Sequence, residues 1–329
     1  MIAQSTKCLR YGLTAFAFTA SLFTPPSAGA QTYPSQMVKI VVPFGPGGVA
    51  DLTVRLVAQK MAASMKQPII VENRPGAGGI VAASTVAKSA PDGYTLLLIS
   101  NGTAVSANLF KKLPYDTVKD FAPISTLGYF DLALLVNKKL PVKSVADLVA
   151  YARANPGKLS IGTINRGSTQ NLAAEMLVAM AGIDAVIVPY KGSPEVLTAT
   201  ATGELDAAVE ILSPALPQIR SGKVQALAVT SATRFAGLPN VPTVAESGLP
   251  DYRATSWNAL AAPAGTPQPV IDRLQREINA AVSAPDVKAR LLELGIVAQG
   301  GTPASTAKLL ASDIAKWGAV IRQAKIEKQ

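Results

Sequence analysis

Two short segments of this chain carry residue types suited to gripping an anion. Gly45-Pro46-Gly47-Gly48-Val49-Ala50 has the spacing G-x-G-x-x-A, at the point where an aliphatic run gives way to helical periodicity. Glycines there let the backbone approach a ligand closely, and the free amides of a helix start offer donors and a partial positive charge. Glu72 follows at the end of the next β-type run, about where an acid that holds a ribose would stand. The segment therefore fits two ligands, the pyrophosphate of a dinucleotide or a smaller anion such as a carboxylate. Asp51 lies in the first helical turn, where it competes with a pyrophosphate and can equally cap the helix. The second segment, Gly167-Ser168-Thr169-Gln170-Asn171, turns from a β-type run into a helix beginning near Leu172. Ser168 and Thr169 are N-cap types, and a hydroxyl beside free amides is a second carboxylate seat. Two such helix starts facing each other from opposite lobes would clamp a short dicarboxylate.

Composition removes several competing chemistries. The 329 residues include no His and one Cys, so there is no Ser-His-Asp triad, no Cys-His dyad, no imidazole zinc site and no imidazole proton shuttle. No Gly-Lys-Ser/Thr is present, which excludes a nucleoside-triphosphate loop. A nicotinamide-dependent enzyme would lack a His for acid-base work on a hydroxyl group. With 49% apolar and 16% charged residues the chain buries a core, and its length favours two domains over one.

The first thirty residues read as a secretory signal to be set aside from the fold. Lys7 and Arg10 form a basic start, residues 12–23 an apolar run, and Ala28-Gly29-Ala30 a cleavage site before Gln31. Twelve apolar residues are too few to span a bilayer, and no later run reaches eighteen. Cys8 precedes the apolar run and would leave with the signal. Removing Lys7 and Arg10 takes the 31 basic residues to 29 against 21 acidic ones, a net charge of +8. These charges are scattered singly along amphipathic stretches without interleaved aromatics, so a nucleic-acid partner is not expected. Export would also carry the chain away from the nicotinamide pool.

The elements that must position these segments alternate between β-type runs and helices, the pattern of an α/β protein with largely parallel sheets. The spacing predicts strands at 39–42, 69–72, 95–99, 132–136, 159–162, 185–188, 207–211, 226–229 and 257–261. Apolar residues recur at three and four in Val54, Val57, Met61 and Met65, and in Leu172, Met176, Leu177 and Met180, marking helix core faces. The last seventy residues predict two helices, one opening at Pro269 and one carrying Leu310, Ile314, Trp317 and Ile321. Turn-rich stretches at 43–48, 73–79, 100–103, 163–169, 189–192 and 212–214 follow the strands. In open α/β sheets ligands bind beyond the carboxyl ends of the strands, so these loops form the candidate site as a set.

Several ordered segments resemble the Bug family, the extracytoplasmic solute receptors of tripartite tricarboxylate transporters. They are Val41-Val42-Pro43-Phe44-Gly45-Pro46-Gly47-Gly48 with Asp51, Glu72-Asn73-Arg74-Pro75-Gly76-Ala77-Gly78-Gly79, Pro91-Asp92-Gly93-Tyr94-Thr95-Leu96, Pro189-Tyr190-Lys191-Gly192, Leu238-Pro239, Val241-Pro242-Thr243-Val244-Ala245-Glu246 and Ala262-Pro263-Ala264-Gly265-Thr266-Pro267. Any one is a weak match, whereas their order and spacing from Tyr33 onward are specific. The resemblance implies a two-lobed periplasmic binding protein of the Venus-flytrap kind, type II-like, with sheets flanked by helices and two interlobe crossovers. It implies a signal over residues 1–30, one lobe from 31–131 plus 254–329 and the other from 132–253.

The ligand contacts it implies are Phe44, Pro46, Gly47, Gly48 and Asp51, then Ser100, Asn101 and Thr103. From the other lobe come Thr163, Arg166, Ser168, Thr169 and Asn171, with Tyr190, Lys191 and Glu210 nearby. No cofactor and no metal are expected. The implied partners are a small carboxylate and the membrane permease subunits of such a transporter, with the receptor a periplasmic monomer. Asn171 stands where the family commonly has His, Arg166 where a small residue is usual, and Glu210 in place of Asp. Arg166 is either a cationic partner for a second carboxylate or a solvated side chain. Glu210 would narrow the cleft or receive an amino group. The competing readings are an exported or mislocated nicotinamide-type oxidoreductase using the glycine loop, and a secreted interaction module.

Overall fold

A computed structural model describes residues 1–2 and 33–329 of the chain. The expected secretory signal lies, beyond its first two residues, outside the described residues. From Tyr33 the chain forms one compact unit. Its elements run β1 (Val38–Val42), α1 (Val49–Met65), β2 (Ile69–Asn73), α2 (Ile80–Ala87), β3 (Thr95–Ser100), α3 (Asn101–Leu109), β4 (Phe121–Asn137), α4 (Val145–Ala154), β5 (Leu159–Ile164), α5 (Thr169–Ala181) and β6 (Ala185–Tyr190). They continue through α6 (Ser193–Thr202), β7 (Ala207–Ile211), α7 (Leu212–Arg220), β8 (Val224–Val229), β9 (Thr255–Pro263), α8 (Gln268–Ser283), α9 (Pro285–Glu293), β10 (Ile296–Ala298) and α10 (Pro303–Gln323).

The fold is two-lobed α/β. In one lobe β1 pairs in parallel with β2 and β3, and in the other β5 pairs in parallel with β6 and β7. The long strand β4 joins them. Through Asp131 it pairs antiparallel with β9, and from Leu132 it pairs antiparallel with β7. Because the connecting strands return across the sheets, each sheet is mixed, with a larger antiparallel share than the alternating pattern predicted. Parallel pairs require helical crossovers, and these supply the flanking α-helices.

Every predicted strand is present within a few residues. The first half of β4 was missed, because Pro123 and Gly128 interrupt its hydrophobic pattern. At the C-terminus three helices and the short strand β10 stand where two helices were expected. The 212–214 stretch, predicted as a turn, opens α7, since Pro214 in the first turn of a helix removes no needed hydrogen bond. Trp317 is fully buried in the largest core cluster with Leu310 and Ile321, as an anchor should be. Among the described residues, no helix is long and apolar enough to cross a membrane.

Candidate functional site

The glycine segment leaves β1 and opens α1 with no side-chain cap on its first amides. Gly47 adopts φ +80°, a conformation that favours glycine, whereas the N-cap Gly48 lies at φ −77°, open to any residue. A Cβ on Gly45 or Gly47 would meet nothing within 4 Å, so the space above the loop is clear. Asp51 does not stand at the N-cap. It reaches back from the third helical position to accept the Gly47 amide at 2.9 Å, and also accepts Arg55 Nε at 3.0 Å and Asn73 Nδ2 at 2.9 Å. Asn73 Nδ2 donates as well to the Phe44 carbonyl at 3.0 Å.

Burial alone would raise the Asp51 carboxyl, but the bonds from Arg55, Gly47 and Asn73 outweigh it and hold it below the usual carboxylate range. Asp51 is therefore consumed in shaping the loop rather than left facing a ligand. The Gly47 amide that a pyrophosphate would need is already taken. Glu72, the candidate ribose acid, is paired with Arg74 and Lys39.

The stretch at 100–103 is no loop, because α3 begins directly at Asn101. Ser100 caps it by accepting the Gly102 amide at 3.1 Å, and Thr103 Oγ1 accepts the Ser100 amide at 3.0 Å. Both hydroxyls serve the cap, which satisfies donors the first turn would otherwise leave free. A Cβ on Gly102 would sit 3.7 Å from the half-exposed Phe44 ring, so the starts of α1 and α3 are neighbours.

In the other lobe α5 starts at Thr169, three residues earlier than predicted. Ser168 caps it through the Asn171 amide at 3.1 Å. Asn171 Oδ1 in turn accepts the Gly167 amide at 2.9 Å, and buried Thr163 donates to the Ile164 carbonyl. Asn171 and Thr163 thus brace the 163–168 turn from behind. Glu210, fully buried at the end of β7, accepts Gln170 Nε2 at 2.9 Å and the Ile211 amide at 2.7 Å. Among the described residues its Oε2 has no hydrogen-bond partner. Burial pushes this carboxyl above its usual range, against the pull of Gln170 and the Ile211 amide. Glu210 is accordingly enclosed in this form and does not narrow an open cleft.

The two lobes meet at these helix starts. Thr169 Oγ1 donates to Asn101 Oδ1 at 2.8 Å. Gly167 adopts φ +77°, which favours glycine, and a Cβ there would lie 2.7 Å from Leu109 Cδ2, so glycine eases that approach. The starts of α1, α3 and α5 therefore converge. Beside the α5 start Asn165, Arg166, Pro189, Tyr190, Lys191 and Glu195 line a cavity of about 510 Å³. Arg166 and Lys191 are exposed there, and among the described residues neither forms an ion pair. Glu195 is occupied by the Lys191 and Gly192 amides at 3.0 and 3.2 Å, and Tyr190 donates to Glu204 at 2.9 Å. The arrangement presents helix dipoles and two cations, which is chemistry for holding an anion.

Sequence reasoning expected crossings near 131–132 and 253–254 but did not single out Thr230, which lies between them. Thr230 donates to the Ala254 carbonyl at 2.6 Å and accepts the Leu132 amide at 3.0 Å, stitching the two crossing segments together. A single buried Thr leaves no periodic signal. Beside it burial pushes the Asp131 carboxyl up to about 6, against a smaller pull from Ser231. Arg55 was also missed, although its place four residues after Asp51 on one helix face was a readable sign.

The two sheets joined by crossing strands, with anion-seeking helix starts at their junction, define a binding protein of the two-lobed periplasmic type. The chain belongs to the tripartite tricarboxylate transporter family of receptors, whose description, "Tripartite tricarboxylate transporter family receptor", matches residues 53–326. Protein BugT of Bordetella pertussis is 37% identical over 310 residues, covering 94% of this chain and 94% of BugT. The solved structure of R. palustris Rpa4515 with adipate has TM-score 0.79 and 35% identity, covering 90% of this chain and 99% of that one. MatC from Rhodopseudomonas palustris with bound malate has TM-score 0.74 and 34% identity over 88% of this chain and 100% of its own. The family is one of solute receptors.

Proposed function

We propose that the protein captures a small carboxylate outside the cytoplasm by closing its lobes, and delivers it to the permease subunits of a tripartite tricarboxylate transporter. In this reading residues 1–30 direct export, residues 31–131 with 254–329 form one lobe, and residues 132–253 form the other. The observation that carries it is the meeting of the uncapped α1 start with the α3 and α5 starts, with Arg166 and Lys191, which form no ion pair among the described residues, lining a cavity beside the α5 start. Adipate and malate in the solved relatives support a carboxylate as the ligand class.

Ligand that touches both lobes only in the closed form shifts the equilibrium toward it. A preference of about 3 kcal/mol changes the open-to-closed ratio roughly 150-fold. Charge-assisted hydrogen bonds of about 1.5–3 kcal/mol each make that reachable with two or three contacts. The Gly48 amide and the first amides of α1 would meet the first carboxylate, with Phe44, Pro46 and Gly47 shaping its seat, and Arg166 and Lys191 would meet the second. Asp51, Ser100, Thr103, Thr163, Ser168 and Asn171 hold the loops in shape.

Calorimetry of the chain from Gln31 against mono-, di- and tricarboxylates and a nicotinamide dinucleotide tests this. Micromolar or tighter binding of one carboxylate class is expected. Dinucleotide binding without carboxylate binding would refute it.

A further inference from the structure

Asn101 makes the contact between lobes, yet its orientation is set from behind. On α10, Asp313 is 5% exposed and its carboxylate accepts from three donors. They are Trp257 Nε1 at 2.8 Å, Lys316 Nζ at 2.9 Å and Asn101 Nδ2 at 3.3 Å. The Thr255 carbonyl lies 3.5 Å from the same Asn101 nitrogen. A carboxylate and a carbonyl only accept, so the Asn101 NH₂ must face them, and its oxygen must face the other lobe. There it receives the Thr169 hydroxyl. Trp257 and Thr255 lie on the crossing strand β9, so Asp313 ties the hinge strand to the contact that closure makes.

We propose that Asp313 is a positioning residue for lobe closure, which it serves by holding the Asn101 carboxamide as an acceptor toward Thr169. An Asn101 free to flip would set its NH₂ against a hydroxyl that can rotate but would lose the Asp313 bond and turn its oxygen onto the Asp313 carboxylate, leaving a buried acceptor without a donor. Such a group is costly, so the fixed orientation biases the lobes toward closure even without ligand. This inference rests on the hinged-receptor reading, but it is tested without ligand.

Labelled cysteines at exposed Ile70 and Val186, on the outermost strands of the two sheets, report the lobe separation. The only native cysteine is Cys8, absent from a chain begun at Gln31. Thr169→Val is expected to lower the closed-to-open ratio roughly three- to tenfold, the scale of one hydrogen bond. Asp313→Leu, which removes the acceptor from Asn101 Nδ2, should do the same, and the double variant should be no worse than either single one. Multiplying effects, or an unchanged separation in Thr169→Val, would overturn the proposal.

A second measurement needs no substitution. In the intact protein the Asn101 side-chain amide protons should show cross-relaxation to the Trp257 indole proton and none to Thr169, and the reverse pattern would also overturn it. Failure to bind any carboxylate alongside the coupled pair would remove the ligand reading and leave this one. Carboxylate binding with independent effects would do the opposite.

Discussion

The starts of α1 and α5 answer the same problem, unsatisfied helix amides, in opposite ways. At α5 the chain supplies its own acceptor: Ser168 caps the helix and Asn171 returns to the Gly167 amide, so the turn is rigid before any ligand arrives. At α1 no side chain caps the helix, and Asp51 braces the loop from the third position through Gly47. A Cβ on Gly45 or Gly47 would meet nothing within 4 Å, so the space over this loop is clear. One mouth is preorganised by capping and lends cations. The other is preorganised from below and lends bare dipoles. A site that must hold an anion and release it gains from this division, since donors need no rearrangement when the ligand enters.

The sharpest way to break the contrast is to fill the clear space. Gly48→Trp keeps an allowed φ and meets only the Gly45 carbonyl at 3.9 Å, so the fold should persist while carboxylate affinity falls more than about 100-fold. Calorimetry with a melting curve checks both halves, and undiminished affinity would remove the α1 loop from the site.

The crossing segment at Asp131 gives the next effect. Asp131 has a carboxyl raised to about 6, so the folded state binds its proton more tightly than the unfolded chain. Its favourable contribution is present at low pH and is lost as pH rises from about 4 through 6. Asp131→Asn should therefore stabilise the protein by up to about 3 kcal/mol at pH 7.5 and leave stability at pH 3.5 nearly unchanged. Equal gains at both values would show that burial of charge is not the cause.

Removing a cation sharpens the difference between mouths. Arg166→Gln should weaken a dicarboxylate about tenfold and a monocarboxylate little, with the gap shrinking at high salt. Equal losses for both ligands would place the second carboxylate elsewhere. The smallest change is Ser168→Ala, which should lower stability by about 1 kcal/mol by chemical denaturation, the loss of one cap. A cost near zero would mean that Asn171 alone holds the turn.

Much of this was legible in the sequence. The glycine spacing at 45–48 located an open helix start, and Ser168 announced a cap. Both depend on interactions spanning four residues or fewer. Legibility failed where a residue's partner is distant. Asp51, Thr163, Asn171 and Glu210 stand at the strand and helix ends that flank these turns but turn into the protein, and residue type gave no sign of that direction. Ser100 and Thr103 read as a loop because cap residues and turn residues are the same types.

What the amino-acid order determined unaided was local: where strands stop, where helices begin, which starts carry glycine, and that no imidazole chemistry is available. The tertiary structure alone decided that Thr169 meets Asn101, that Asp313 stands behind that contact, and that Thr230 joins two segments more than twenty residues apart. Periodicity and capping are written within a few residues because their hydrogen bonds close within one helical turn. Contacts across lobes arise only when whole sheets pack, and nothing in the neighbouring residues encodes them.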